Sequence, residues 1–144
     1  MSVHYEQNTL TAKQFLALRE SVGWKGVELQ IEKALESGLY NILAKDDESV
    51  IGMGRLVGDG IMYWYVQDVI VCPEYQGHGI GKTIMDYLIR YIEKSSLPNT
   101  TVTIGLMAAK GKDDFYQRLG FISRPSEIYG AGMIKLHQIP DITI

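Results

Sequence analysis

Hydrophobic and polar positions change period along this chain, and the changes mark out its elements. Val3 to Glu6 reads as a short first strand. Thr9 or Thr11 is placed to cap a helix that carries Ala12, Phe15, Leu16 and Leu18. After Gly23 a second helix is expected, with Val27, Ile31 and Leu35 at i+4 spacing and Gly38 closing its end. Glu28, Glu32 and Glu36 line its other face, where solvation is the simpler reading than capture of a cation. Leu39 to Lys45 and Val50 to Val57 read as a hairpin about the polar turn Asp46-Asp47-Glu48, with Gly52 and Gly54 marking a bulge or close approach. Gly58-Asp59-Gly60 predicts a second tight turn into a long strand, Ile61 to Val71. These three strands should form an antiparallel meander.

The most informative stretch is Asp68 to Ile92. Val69, Ile70 and Val71 form a β-branched run of the kind covered on both faces, and Pro73 ends it. Gly77, Gly79 and Gly81 then recur at every second position, which suits a tight turn and close approach to a ligand. From Ile80 the apolar residues Ile84, Leu88 and Ile92 follow at i+4, so a helix starts where the glycines end. A glycine turn feeding a helix N-terminus presents free N–H groups and positive dipole, a setting for phosphate. Beyond that helix, Thr101 to Leu106 reads as a strand parallel to its predecessor, since a helix separates the two. Asp113 to Leu119 reads as a short helix with Gly120 past its end, and Phe121 onward and Ile128 to Leu136 as closing strands.

Two phosphate-binding patterns fail on spacing. The P-loop pattern has Gly81-Lys82-Thr83 for its second half, but Gln76 stands where its first glycine is required. The dinucleotide pattern is met by Gly77 and Gly79 and broken at Lys82. A third pattern, Q/R-x-x-G-x-G/A, is met at every fixed position by Gln76-Gly77-His78-Gly79-Ile80-Gly81. With the strand before it and the helix after, this stretch resembles the acetyl-CoA-binding motif of the GNAT superfamily of N-acetyltransferases. A second segment, Phe115-Tyr116-Gln117-Arg118-Leu119-Gly120-Phe121, resembles that family's FYxxLGF signature, and the order of elements is similar to the GNAT fold over nearly the whole chain. Residues 1–144 are accordingly expected to form one α/β domain of α+β type, with a mixed, mostly antiparallel sheet flanked by helices.

Composition narrows the class further. Hydrophobic residues make up 46% and charged residues 22% of the chain, which excludes a disordered polymer. A net charge of −3 gives no electrostatic reason to expect nucleic acid as partner. Cys72 is the single cysteine, so no internal disulfide can form and a reducing compartment is expected. No apolar leader and no run of about 18 apolar residues is present, so the chain reads as cytoplasmic with no membrane partner.

Acetyl transfer to an amine needs a neutral amine, a donor to the oxyanion and a proton for the departing thiolate. The resemblance implies that main-chain groups of Val69, Ile70 and Val71 pair with the pantetheine arm. It also implies that N–H groups from Gln76 through Gly77, His78, Gly79, Ile80, Gly81 and Lys82 cradle the pyrophosphate of acetyl-CoA. Tyr116 is then the general acid, the alternative being a tyrosine that packs its helix. Asp68 is the candidate base because a carboxylate in an apolar run is costly to bury without purpose, a partnered structural carboxylate being the alternative. Gln67 precedes it and, by strand alternation, should face the other way. Tyr63 and Tyr65 share one face and either shape the acceptor pocket or pack the sheet. Cys72 at a strand end suits an inert thiol better than an acetylated nucleophile. His4, His78 and His137 show no metal-ligand spacing, so no metal is expected.

The expected function is therefore acetyl-CoA-dependent N-acetylation of a primary amine, that of a small molecule, by direct attack in a ternary complex. A peptide or protein acceptor and a non-catalytic CoA-sensing domain stand as alternatives. Acceptor choice is expected from Ser21 to Gly26 and Arg124 to Gly132, and the closing strands are candidates to pair in a homodimer.

Overall fold

Five strands in the order β1-β2-β3-β4-β5 make the sheet on which every other part of the first unit rests. The structure, a computed structural model, describes residues 1–141, and the chain divides into two compact units, one from Met1 to Leu106 and one from Met107 onward. In the first lie β1 (Val3–Gln7), α1 (Ala12–Ser21), α2 (Glu28–Ser37), β2 (Tyr40–Asp46), β3 (Ser49–Gly58), β4 (Tyr63–Val71), α3 (Ile80–Ser95) and β5 (Thr103–Gly105). The second unit contains α4 (Asp113–Gln117). β1 through β4 pair antiparallel, while β5 runs parallel to β4, as the intervening helix predicts.

Helices cover both faces of the sheet. α1 and α2 close one face around Leu10, Phe15, Leu18, Ile31, Leu43, Met53 and Ile70. α3 closes the other through Ile80, Ile84, Leu88 and Ile92, the stripe read from sequence, with Met85 beside it. Each of those side chains is at most 3% exposed, and burying one contributes about 1.5–3 kcal/mol. Gly54 lets this helix approach, because a Cβ there would stand 2.6 Å from Ile84 Cγ2. At the start of α1, Thr11 and not Thr9 is the cap. Thr11 Oγ1 accepts the Gln14 N–H at 3.2 Å and Gln14 Oε1 accepts the Thr11 N–H at 2.9 Å, a reciprocal capping box.

Four expectations need correction. α2 buries only Ile31 of its expected stripe, since Val27 is the uncapped N-cap residue, 62% exposed, and Leu35 is half-buried. β4 starts at Tyr63, not Ile61, because Asp59 Oδ1 accepts the N–H groups of Ile61, Met62 and Tyr63 at 2.8–2.9 Å and winds those residues into the turn. β5 is shorter than Thr101 to Leu106 because only Thr103–Gly105 finds a ladder, against Tyr63–Tyr65. Among the described residues, Phe121 onward and Ile128 to Leu136 form no strand. The backbone bond found there, Ser126 N–H to Tyr129 C=O at 2.8 Å, closes a local turn, and without a neighbouring ladder an extended segment gains no strand bonds. The homodimer pairing expected of that segment therefore has no strand to build on. The last residues, 142–144, lie outside the described residues.

Tyr40 of β2 links the sheet to α3 and gives the fold a pH signature. It is 3% exposed, stacks on Tyr91 at 4.2 Å and donates its hydroxyl to Gln7 Oε1 at 2.8 Å. Burial, reinforced by neighbouring Tyr87, pushes its phenol up to about 12. In the unfolded chain the phenol ionises near pH 10, so on the alkaline side the unfolded state loses its proton first (roughly pH 10). Tyr40's contribution is thus complete below pH ~10 and is lost as pH rises through about 12. Urea unfolding at a series of alkaline pH values should show a shallower loss of stability for Tyr40→Phe than for the parent over that window. Equal slopes would contradict a raised phenol.

Candidate functional site

The site begins at an irregularity in β4. Met53 pairs with Ile70 but Arg55 pairs with Gln67, so β4 carries one more residue than β3 across this step. The extra residue is Asp68, whose φ of 51° is left-handed and unusual for a residue with a side chain. The bulge changes which way β4 faces. Gln67 shares the α1 side with its cross-strand partner Arg55, and Asp68 also points there, to Arg19 of α1 and to Arg55. Gln67 and Asp68 therefore do not face opposite ways, as strict alternation had predicted.

Asp68 is buried and doubly paired. Its Oδ1 accepts from Arg19 Nη1 at 2.7 Å and its Oδ2 from Arg55 Nε at 3.0 Å, with the carboxylate side chain only 5% exposed. Arg55 also lies over the Phe15 ring at 5.3 Å. Both carboxylate oxygens thus face guanidinium donors, which occupy the positions from which an amine proton would be taken. This geometry supports the partnered role that stood beside the general-base role. Arg19 and Arg55 were missed in the sequence. Their signal was present: Arg19 follows Phe15 and Leu18 on the buried face of α1, and Arg55 interrupts the apolar run of β3.

Past the bulge, β4 is open along one side. β5 pairs only as far as Tyr65, so among the described residues Val66–Val71 have no strand neighbour on that side. The Ile70 carbonyl turns toward β3, 3.0 Å from where a Cβ on Gly52 would stand. Ile70 is therefore not one of the outward-facing residues, and alternation assigns that place to Val69 and Val71. Such an edge can accept an extended, amide-bearing chain as an added strand. Beside it on the α1 side lie Tyr65 and Gln67, both half-buried, with Tyr63 exposed at the strand start. Tyr65 rests against Gly105, where a Cβ would stand 3.3 Å from its ring, and burial raises its phenol.

The glycine loop follows directly. A 3-10 turn, Pro73–Tyr75, is tied down by the Tyr75 hydroxyl donating to Asp46 Oδ2 at 2.8 Å. Gln76 spends its groups internally. Its N–H reaches the Pro73 carbonyl at 3.3 Å and its Nε2 donates to the Val71 carbonyl at 2.9 Å, fastening the loop to the strand end. Gln76 is thus a latch and not a free donor. Gly77 and Gly79 have φ of 83° and 81° in open space, while Gly81 belongs to the first turn of α3. Gly79 is the N-cap, with no side-chain cap, and the first bond of the helix runs from Thr83 N–H to its carbonyl at 3.1 Å. Among the described residues, the N–H groups of Gly77, His78, Gly79, Ile80, Gly81 and Lys82 consequently lack backbone acceptors at the positive end of a 16-residue helix. The Lys82 ammonium pairs with Asp86 at 3.0 Å and both are exposed, so its charge is shared with a neighbour.

In the second unit the FYQRLGF segment closes α4. Gly120, at φ 96°, donates its N–H to the Gln117 carbonyl at 3.0 Å, and Phe121 donates to Tyr116 at 3.1 Å. That is a Schellman closure with Gly120 at C′, and its characteristic apolar contact is Phe121 against Tyr116, ring centroids 5.9 Å apart. Phe115 meets Tyr116 from the other side at 5.0 Å. Burial raises the Tyr116 phenol, so it stays protonated and able to donate through the neutral range.

The remaining candidates show no catalytic pairing. Cys72 Sγ lies 3.8 Å from Ser21 Oγ and 3.9 Å from the Val50 carbonyl, neither able to take its proton. His78 is exposed in the loop and His4 lies 3.4 Å from Glu6. Among the described residues no His, Cys, Asp and Glu group is arranged to hold a metal ion, and no helix is long and apolar enough to cross a membrane.

Comparison with known proteins gives one consistent result. Residues 38–123 match the family model of the acetyltransferase (GNAT) domain. An acetyltransferase of the GNAT family from Streptococcus pneumoniae is 29% identical, with a TM-score of 0.79 over 95% of this chain and 99% of its own. A Staphylococcus aureus protein described as a probable acetyltransferase is 30% identical, with a TM-score of 0.81 over 93% and 99%. Among curated proteins, the uncharacterized N-acetyltransferase ycf52 of Porphyra purpurea is 31% identical across 78% of this chain and 66% of its own length. Histone acetyltransferase TAP1 of Glycine max is 35% identical across 79% and 53%. The chain thus spans two thirds or less of these curated relatives.

The loop geometry separates its glycines by experiment. Gly79→Ala places a Cβ on a left-handed residue and should cost about 1 kcal/mol in urea unfolding. Gly81→Ala, inside the helix, should be neutral or stabilising by about 0.5–1 kcal/mol. Equal effects at the two positions would contradict the turn described.

Proposed function

The chain belongs to the GNAT acetyltransferase family, and from that premise we propose that it transfers an acetyl group from acetyl-CoA to a primary amine of a small molecule. The observation that carries this reading is the junction of the open β4 edge with the loop whose N–H groups, Gly77 to Lys82, lack backbone acceptors. An extended amide arm ending in a pyrophosphate needs those two features in that order. The residues present therefore fit acetyl-CoA, which would supply an activated thioester carbonyl. The chain's own residues do the rest. Val69 offers its outward N–H and C=O to the arm and Val71 its N–H, the Val71 carbonyl being held by Gln76, and the loop N–H groups meet the phosphates. Tyr116, assigned by the family's FYxxLGF signature rather than by its placement, holds a proton for the departing sulfur, and Tyr63, Tyr65 and Gln67 border the acceptor. With Asp68 engaged by two guanidiniums, the amine gives up its proton to water, and attack is direct, without a Cys72 intermediate.

A second reading, acetylation of a protein or peptide amine, draws support from the name of the Glycine max relative, a histone acetyltransferase. Calorimetry with acetyl-CoA, followed by thiol release against small amines and histone-derived peptides, tests both. Binding with release for small amines supports the first reading and release for peptides alone supports the second. An absence of binding would overturn the function altogether.

Tyr116→Phe tests the proton donor. It should lower kcat about 100-fold while leaving acetyl-CoA binding within about twofold, and should abolish the fall in kcat seen as the raised phenol ionises above pH ~10. Unchanged kcat would reassign Tyr116 to packing.

A further inference from the structure

We propose that Arg19 is a positioning residue that couples the loop between α1 and α2 to the bulge in β4, so that acceptor contacts on the loop are transmitted to the strand edge. The proposal rests on the acetyltransferase reading above. Its basis is one guanidinium with two directed bonds. Arg19 Nη1 donates to Asp68 Oδ1 at 2.7 Å, and Arg19 Nε donates to the Lys25 carbonyl at 2.7 Å. The first partner is the left-handed residue of the bulge and the second is backbone in the middle of the loop. The loop closes around the same side chain. The Trp24 N–H donates to the Arg19 carbonyl at 2.9 Å, and the guanidinium lies 5.5 Å over the Trp24 ring. Gly26 completes the enclosure, since a Cβ there would stand 3.4 Å from Arg19 Nε and 2.9 Å from Ile31 Cδ1.

The two arginines on Asp68 have different tasks. Arg55 is the more enclosed, 14% exposed against 28% for Arg19, and comes from the paired strand itself. Losing Arg19 leaves Asp68 with one guanidinium partner, so the buried carboxylate is not orphaned. What is lost is the span from bulge to loop. A planar guanidinium holds both bonds in fixed directions, whereas a lysine ammonium is a single point charge that can keep Asp68 but not reproduce the fork. Arg19→Lys should therefore retain stability and still uncouple the two elements.

Arg19→Lys and Arg19→Gln test this in the full chain, by amide hydrogen exchange and by steady-state kinetics with the small amine that gives the fastest thiol release. Exchange is expected to rise in both variants at the loop amides of residues 22–27 and at those of residues 66–71, while the α3 core stays protected. The amine KM should rise about tenfold, the loss of one charge-assisted bond, and acetyl-CoA affinity should fall by a smaller factor because residues 66–71 carry its edge. Faster exchange in the loop alone, or an unchanged KM in an active enzyme, would overturn the coupling. If the parent chain binds no acetyl-CoA, the functional reading fails, while the exchange result still decides whether Arg19 joins loop and bulge.

Discussion

One buried carboxylate holds the site's geometry in place. Asp68 adopts a left-handed conformation in the middle of a strand, which costs on the order of 1–3 kcal/mol, and sits with its side chain 5% exposed. Two charge-assisted bonds, from Arg19 and Arg55, offset both the strain and the desolvation. The bulge they sustain reorients the strand that follows. Ile70 turns into the core beside Met53, and Val69 and Val71 present peptide groups to the open edge. Gly54 stands opposite the bulge and lets α3 close on the sheet there. Strand edge, bulge and helix position are thus consequences of one local exception to β-pleating.

The groups that the neighbouring loop leaves free to meet an anion are backbone more than side chains. Lys82 shares its charge with Asp86, and Gln76 is used as a latch to Val71. What remains is a row of N–H groups and the dipole of α3. Such a site reads phosphate by direction and spacing, so its strength follows from the left-handed conformations of Gly77 and Gly79. A formal net charge of −3 is compatible with phosphate recognition for that reason.

Much of this was legible in the sequence because it is local. The stripe of α3, the two turns, the parallel return of β5 and the glycine loop all follow from spacing within a few residues. The Thr11 cap required a choice that Gln14, three residues on, decides in structure. What was not legible is non-local. Asp68 finds Arg19 across 49 positions of sequence, and no periodicity predicts that pairing or the left-handed backbone it supports. The one-residue slip in β4 then overturned the expectation that Gln67 and Asp68 diverge. The closing strands failed for a related reason, since β-branched and apolar residues favour extension but only a neighbouring ladder makes a strand.

The second motif shows how a signature can be matched in full and still assign chemistry to only one of its residues. In Tyr116-Gln117-Arg118-Leu119-Gly120-Phe121, glycine is needed at C′ because φ there is 96°. Phe121 is needed at C″ to pack on Tyr116, and the two closing bonds use main-chain atoms that any residue supplies. Helix closure thus accounts for the glycine and the phenylalanine without any reaction. It also accounts for an aromatic ring at Tyr116, but not for a hydroxyl on it. Phenylalanine would present the same ring to Phe115 and Phe121. Among the motif's fixed positions the hydroxyl is the side-chain group that helix closure does not require, and it is where a chemical role has to be sought.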